Sequence, residues 1–96
     1  MKKYEAMFIV RPDISEEEKK AVFNQIKETF NKFKATIVNA SVWAEKRKLG
    51  FAIKKCQEGL YYLVDFTLED TKAMSEIKRV LAINENILRF MIMVGQ

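Results

Sequence analysis

Cationic and aromatic side chains are interleaved over one short stretch of the chain, between residues 43 and 55. This stretch holds five cationic side chains and one acidic one, Glu45, so its net charge of +4 equals that of the whole 96-residue chain. Cations neutralise phosphates, and aromatic rings stack on unpaired bases. The pattern favours contact with a nucleic acid, although on charge alone a merely solvated surface is about as common. The side chains concerned are Trp43, Lys46, Arg47, Lys48, Phe51, Lys54 and Lys55.

A second, smaller basic group consists of Lys2, Lys3, Arg79 and Arg89. Lys2 and Lys3 begin the first predicted strand, while Arg79 and Arg89 flank the turn into the last predicted strand. Because these two strands should be neighbours in the sheet, we expect the fold to bring the group closer together. Such clustering would add to the phosphate-binding surface.

The residues that catalysis or metal binding would need are missing from the sequence. There is no histidine, which removes the usual acid–base group at neutral pH and the commonest metal ligand. The single cysteine, Cys56, can form neither an internal disulfide nor a zinc site by itself. The glycines at 50, 59 and 95 are too scattered for a phosphate-binding loop. We therefore predict a protein that is not an enzyme and has no metal and no cofactor.

The elements that position these residues begin with a strand over Tyr4–Arg11, which Pro12-Asp13 ends. Ser15 and Glu18 then fit a capping box at the start of a helix. Apolar residues at spacings of three and four predict that one face of this helix is buried. They are Val22, Phe23, Ile26, Phe30 and Phe33.

The second half of the chain repeats this order more loosely. Strands are predicted over Thr36–Trp43 and Leu60–Leu68, with a turn at Glu58-Gly59 before the latter. Asp70 is a plausible N-cap for a second helix, and Ile87–Val94 is predicted as the last strand. The buried face of that helix would contain Ala73, Ile77, Val80 and Leu81.

The resulting order, βαββαβ, predicts an α+β fold of the ferredoxin-like, split-βαβ type over a single domain, residues 1–96. Right-handed crossovers give a four-stranded antiparallel sheet of order 4-1-3-2 with two helices on one face. The only apolar run near the start, Ala6–Val10, stops at Arg11, and no later run is long enough to cross a membrane. We expect a cytoplasmic protein.

The face of the sheet without helices should be unusually apolar. In the last strand Ile87, Met91 and Met93 fall opposite the core-facing set, with Arg89 as the one polar exception. An exposed apolar patch of this size usually marks an interface, although a loop or tail could cover it. The side chains predicted on this face are Met7, Ile9, Tyr61, Leu63, Met91 and Met93.

Two other functions remain open from the residues alone. Lys48–Ile53 loosely resembles the basic-Gly-aromatic signature of an RNA-recognition domain, but it precedes the strand where that signature belongs. A ferredoxin-like homodimer that senses a small molecule is the other alternative.

Several segments, in this order and spacing, resemble the bacterial ribosomal protein S6 family across nearly the whole chain. The opening Lys3-Tyr4-Glu5 strand ends at Pro12, and Trp43 is followed by Lys46-Arg47-Lys48-Leu49. The most specific segment is the run from Arg79 to Arg89, Arg-Val-Leu-Ala-Ile-Asn-Glu-Asn-Ile-Leu-Arg. The matching segments between them are Ile53-Lys54-Lys55, Glu58-Gly59 and Tyr61-Tyr62.

The resemblance implies a structural component of the small ribosomal subunit that binds the central domain of 16S rRNA together with ribosomal protein S18. It implies no small-molecule substrate and no membrane. The RNA contacts it suggests are Lys2, Lys3, Arg79 and Arg89, and after them Lys46, Arg47, Lys48 and Lys54. For the protein partner we expect the second strand with its hairpin and the uncovered sheet face, represented by Trp43, Phe51, Tyr61 and Met91.

Overall fold

Four strands and two helices follow one another in the predicted order in the computed structural model, which describes residues 2–95. All neighbouring strands are antiparallel and the sheet order is β2-β3-β1-β4, which confirms the predicted ferredoxin-like topology. The elements are β1 (Lys2–Val10), α1 (Glu16–Lys32), β2 (Thr36–Ile53), β3 (Cys56–Leu68), a short 3₁₀ turn (Thr71–Ala73), α2 (Met74–Ile83) and β4 (Ile87–Val94).

The start of α1 has the predicted capping box. The Glu18 amide donates to the Ser15 hydroxyl at 3.1 Å, and the Ser15 amide donates to the Glu18 carboxylate at 3.3 Å. These bonds satisfy two amides that the first helical turn leaves without a partner. The cap fixes where α1 begins, so that Val22, Ile26 and Phe30 face the sheet and are buried.

Both helices pack on one face of the sheet through alternate residues of the two central strands. Phe8 of β1 is fully buried, and its ring centroid lies 6.5 Å from that of Phe30 and 6.0 Å from that of Phe90. Ile77 and Leu81 of α2 belong to the same buried cluster. The core therefore lies between the sheet and the helices. Within residues 2–95 no helix covers the opposite sheet face, which is called the open face below.

The hairpin between β2 and β3 is longer than predicted. β2 continues past Trp43 to Ile53, and β3 begins at Cys56 rather than Leu60. The predicted turn at Glu58-Gly59 is wrong, because the chain reverses at Lys54-Lys55 with φ values of 48° and 69°. Two central residues with positive φ match the twist of the flanking strands, as in a type I′ turn. Residues 44–59, most of which extend past the end of β1, are called the hairpin arm below.

The hairpin arm contains a large irregularity on its β2 side. Lys48 pairs with Glu58 and Ile53 with Cys56, so four residues of β2 lie opposite the single residue Gln57 of β3. The extra residues cannot join the ladder and must leave the plane of the strands. We call this segment, Leu49–Ala52, the knob.

Two further expectations need correction. A register shift between Ile9 and Val10 places Ile87 opposite Val10, so Ile87 joins the core rather than the open face. The Asp70 carboxylate accepts from the Lys72 amide at 3.0 Å and therefore caps the 3₁₀ turn, not α2 itself. Neither helix within residues 2–95 has the length and apolar character needed to cross a bilayer.

Candidate functional site

The open face has an apolar centre formed by the middle of the sheet. Met7 of β1 lies directly between Leu63 of β3 and Met91 of β4. Met7 and Leu63 are half-buried, and Met91 is 57% exposed. Unbranched methionine side chains adapt to an irregular partner, so this centre is suited to protein contact.

A cation–aromatic cluster lies beside this centre, where β2 enters the hairpin arm. The Trp43 and Tyr61 rings meet edge to face, with centroids 5.5 Å apart. The Arg47 guanidinium carbon lies 4.6 Å from the centroid of the Trp43 ring and 5.9 Å from that of the Tyr61 ring. The structure thus brings a predicted RNA contact, Arg47, together with two predicted partner contacts. Stacking holds the guanidinium in place without neutralising it, so its N–H groups can still bind an anion.

The knob reaches over the same end of the open face. Phe51 is 67% exposed, and its ring centroid lies 5.7 Å from the guanidinium carbon of Arg89 on β4. Gly59 explains how the hairpin arm comes so close to β1. A Cβ at this position would lie 2.5 Å from Cγ2 of Ile9 and 3.6 Å from Cδ2 of Leu49. Glycine at this position therefore leaves room for the Ile9 side chain.

The remaining lysines of the hairpin arm are exposed. Lys48 lies beside the knob, and Lys54 forms the turn with Lys55. Lys46 and Lys55 line a shallow recess of about 290 Å³, together with Pro12 and the carboxylate-bearing Asp13 and Glu58. The arm therefore presents its positive charge at its tip as well as along its length.

The smaller basic group is not brought together as expected. Lys2 and Lys3 begin β1, whereas Arg89 pairs with Ile9 near the end of that strand. Seven residues of extended chain, roughly 23 Å, separate Lys2 from Ile9. The expectation failed because neighbouring β1 and β4 are antiparallel, which places their first residues at opposite ends. Arg79 lies on the outer side of α2 and forms an ion pair with Glu76.

Two carboxylates on the open face were missed by sequence reasoning. Glu5 of β1 and Asp65 of β3 are half-buried and directly opposite each other. Like charges in this position repel. Within residues 2–95 neither carboxylate forms a salt bridge. Their alternation with buried neighbours was visible in the sequence, but their pairing depends on the register of β1 with β3.

Titration behaviour is shifted at the loop after β1 and in the core. Arg11 donates to both carboxylate oxygens of Asp13 at 3.3 Å. These hydrogen bonds lower the pKa of Asp13 below its usual 3.8 and raise the pKa of the Arg11 guanidinium. Burial raises the pKa of the Tyr62 hydroxyl. No group of three or more potential metal ligands occurs in the part of the chain that the structure describes.

Known structures share this architecture. The crystal structure of 30S ribosomal protein S6 from Thermotoga maritima matches with a TM-score of 0.88 and 26% sequence identity, over 98% of this chain and 87% of that one. The C-terminal domain of the MgtC protein from Mycobacterium tuberculosis has a TM-score of 0.68 at 10% identity, over 99% of this chain and 88% of that one.

A third match, to the extracellular region of zebrafish Gpr126, has a TM-score of 0.58 at 16% identity and covers 99% of this chain but 14% of that one. At these identities the second and third matches show the shared fold alone. The family model for ribosomal protein S6, in contrast, matches residues 3–94, almost the full chain. With the fold and the S6 structure in agreement, the chain belongs to the ribosomal protein S6 family and is a small-subunit ribosomal protein.

Proposed function

We propose that this small-subunit protein binds the central domain of 16S rRNA together with ribosomal protein S18 during assembly of the subunit. In this role it performs no chemistry. Its cations hold phosphates, and its open face holds the protein partner, so that the two proteins present one joint surface to the RNA.

The observation that carries the RNA half of the proposal is the exposed charge of the hairpin arm. The segment 43–55 accounts for the whole net charge of +4, and its cationic side chains are exposed. The arm extends past the end of β1, where a concave or grooved polyanion can reach it from several sides. Contacts to phosphates then supply an affinity that depends strongly on salt.

The turn at the tip of the arm supports the same assignment. Lys54 and Lys55 have positive φ, a conformation that costs a residue with a side chain roughly 1–2 kcal/mol. Asn-Gly would fit this turn without that cost. The presence of two lysines at a strained turn therefore indicates that their positive charge is functional.

The partner half rests on the composition of the open face. Met91 belongs to the apolar centre, and Trp43 and Tyr61 lie beside it. Phe51 projects from the knob at one end. Aromatic residues, methionine and arginine are the types enriched at the centre of protein interfaces. We assign these four residues to the S18 contact.

A filter-binding titration against a 16S central-domain fragment, with S18 present, tests the proposal. We expect log K to fall linearly with log salt concentration. Replacing Lys48 and Lys54 with glutamine should lower the affinity and reduce the slope by about one for each phosphate that is no longer neutralised. The same replacement of Lys20 and Lys27, on the outer surface of α1, removes equal charge and should change the slope little.

Two results would contradict the proposal. An affinity that barely changes with salt, or equal effects of the arm and helix replacements, would remove the arm from the RNA interface. Equal affinity with and without S18 would contradict the partner half, because joint binding requires that S18 raises the affinity. The Lys2 and Lys3 group and Arg89, which lie at opposite ends of the sheet, can be replaced separately in the same assay.

A further inference from the structure

The open face has two ends of opposite character. At one end Arg47 and Arg89 lie beside the knob; we call this the basic end. At the other end Glu5 lies directly opposite Asp65; we call this the acidic end. Along β1 the two ends are separated by the four steps from Glu5 to Ile9, about 13 Å. Met7, Leu63 and Met91 lie between them.

The acidic end is also concave. A cavity of about 600 Å³ there is lined by Glu5 and Asp65 together with the apolar side chains of Val38, Met93 and Val94. Lys3 also lines it, so the charged residues of its lining are two acidic groups and one basic group. The described residues place no salt-bridge partner on either carboxylate. A basic group with an adjoining apolar side chain would match this cavity in charge and in shape.

The basic end of the same face carries basic groups with an adjoining aromatic side chain. The knob rises above the sheet and presents Phe51, 67% exposed, beside the Arg89 guanidinium. Arg47, stacked on Trp43, precedes the knob by two residues in the chain. One surface thus carries a raised, basic and aromatic end and a concave, acidic end, separated by an apolar centre.

We propose that the open face binds a second copy of this chain, face to face about a two-fold axis. The axis lies between the two sheets and runs across the strands. It superimposes the acidic end of each copy on the basic end of the other and brings the methionines together at the centre. Asp65 of one copy then faces Tyr61 and the adjacent Arg47 of the other copy. Glu5 of one copy likewise faces Ile9 and the adjacent Arg89 of the other. Each knob enters the cavity of the opposite copy.

The expected dimer is weak. The molecule extends 36 × 25 × 21 Å, so one sheet face buries no more than a standard interface of about 800 Å² per partner. Charge pairs at its two ends decide the orientation more than the affinity. Because the face includes Trp43, Tyr61 and Met91, which the proposed function assigns to S18, S18 would displace the second copy. The dimer is then the form of the chain free of S18.

Sedimentation equilibrium of the purified full chain, at low salt and over a wide concentration range, tests the proposal without RNA or S18. We expect a monomer–dimer equilibrium that weakens as salt is added. Asp65→Lys or Arg47→Glu alone should weaken dimerisation at least tenfold. The double variant Asp65→Lys/Arg47→Glu should restore it, because exchanging both signs keeps the two ends complementary. Glu28→Lys on α1, with the same charge change as Asp65→Lys, is the control and should dimerise like the unchanged chain.

Circular dichroism of each variant shows whether it is folded, and the double variant contains both substitutions, so restored dimerisation shows that neither abolishes folding. A monomer at every concentration, or a double variant no better than the single ones, would overturn the proposal. Oligomers that keep growing with concentration would overturn the two-fold arrangement, because they require a head-to-tail contact. Failure here leaves the RNA titration untouched, since its salt dependence measures the lysines of the hairpin arm and S18 is present in place of a second copy.

Discussion

Phe8 lies at the centre of the core, with the rings of Phe30, Tyr62 and Phe90 around it. Its replacement by alanine leaves a cavity where β1 meets the helices, and we expect a loss of about 3–5 kcal/mol in the free energy of unfolding. This is a large part of the roughly 5–15 kcal/mol that holds most domains together. Urea denaturation followed by circular dichroism measures the change.

The matched control for that experiment is Phe51→Ala. This side chain is mostly exposed on the knob, so its loss should cost less than about 1 kcal/mol. Similar costs at both positions would mean that the knob, rather than the sheet–helix contact, carries much of the stability.

Asp13 gives a prediction about pH. Hydrogen bonds from the Arg11 guanidinium lower its folded-state pKa below 3.8. Their contribution to stability is therefore present above the unfolded pKa and is lost as the pH falls through the folded value. An NMR titration of the carboxyl carbon should give a midpoint below 3.8 that rises in Arg11→Gln. An unchanged midpoint in that variant would show that the pair does not persist in solution.

Single residues also show which features of the candidate site could be predicted from the sequence. The exposure of Met91 followed from its place opposite the core-facing set of the last predicted strand, and the structure agrees. The acidic pair of Glu5 and Asp65 could not be found in the same way. The two residues are far apart in the chain, and they meet because of a register that the hydrophobic pattern alone does not specify.

At the scale of elements, the hairpin arm is where sequence and structure differ most. Strand prediction relies on a period of two, and β2 breaks that period at several register shifts. The predicted strand ended at Trp43 because a basic stretch follows it in the sequence. The true turn also has neither asparagine nor glycine, the usual signal for a two-residue turn, because Lys54 and Lys55 occupy it.

The turn can be tested by relieving its strain. Lys54→Asn with Lys55→Gly should raise the free energy of unfolding by about 1 kcal/mol or more, because both new residues tolerate positive φ. Lys54→Gln with Lys55→Gln removes the same charges and keeps the strain, which makes it the control. If chemical denaturation finds both variants equally stable, the lysines do not occupy the left-handed region in solution.

At the scale of the whole molecule, the topology was predictable because it follows from signals that are local in the chain. The capping box, the helical spacing of Val22, Ile26 and Phe30, and the order of elements leave few ways to cover one sheet face. The charge asymmetry of the open face is not local in this sense. It arises from four strands brought side by side, so it depends on a register that only the folded sheet defines.

Trp43 is the only tryptophan of the chain, and it lies on the open face rather than in the core. The sole indole is already half in contact with water in the folded protein, and the Arg47 guanidinium is stacked on it. Its fluorescence therefore reports mainly on what covers that face. The intrinsic fluorescence of Trp43 can therefore follow binding to the open face, and dissociation from it, without a label.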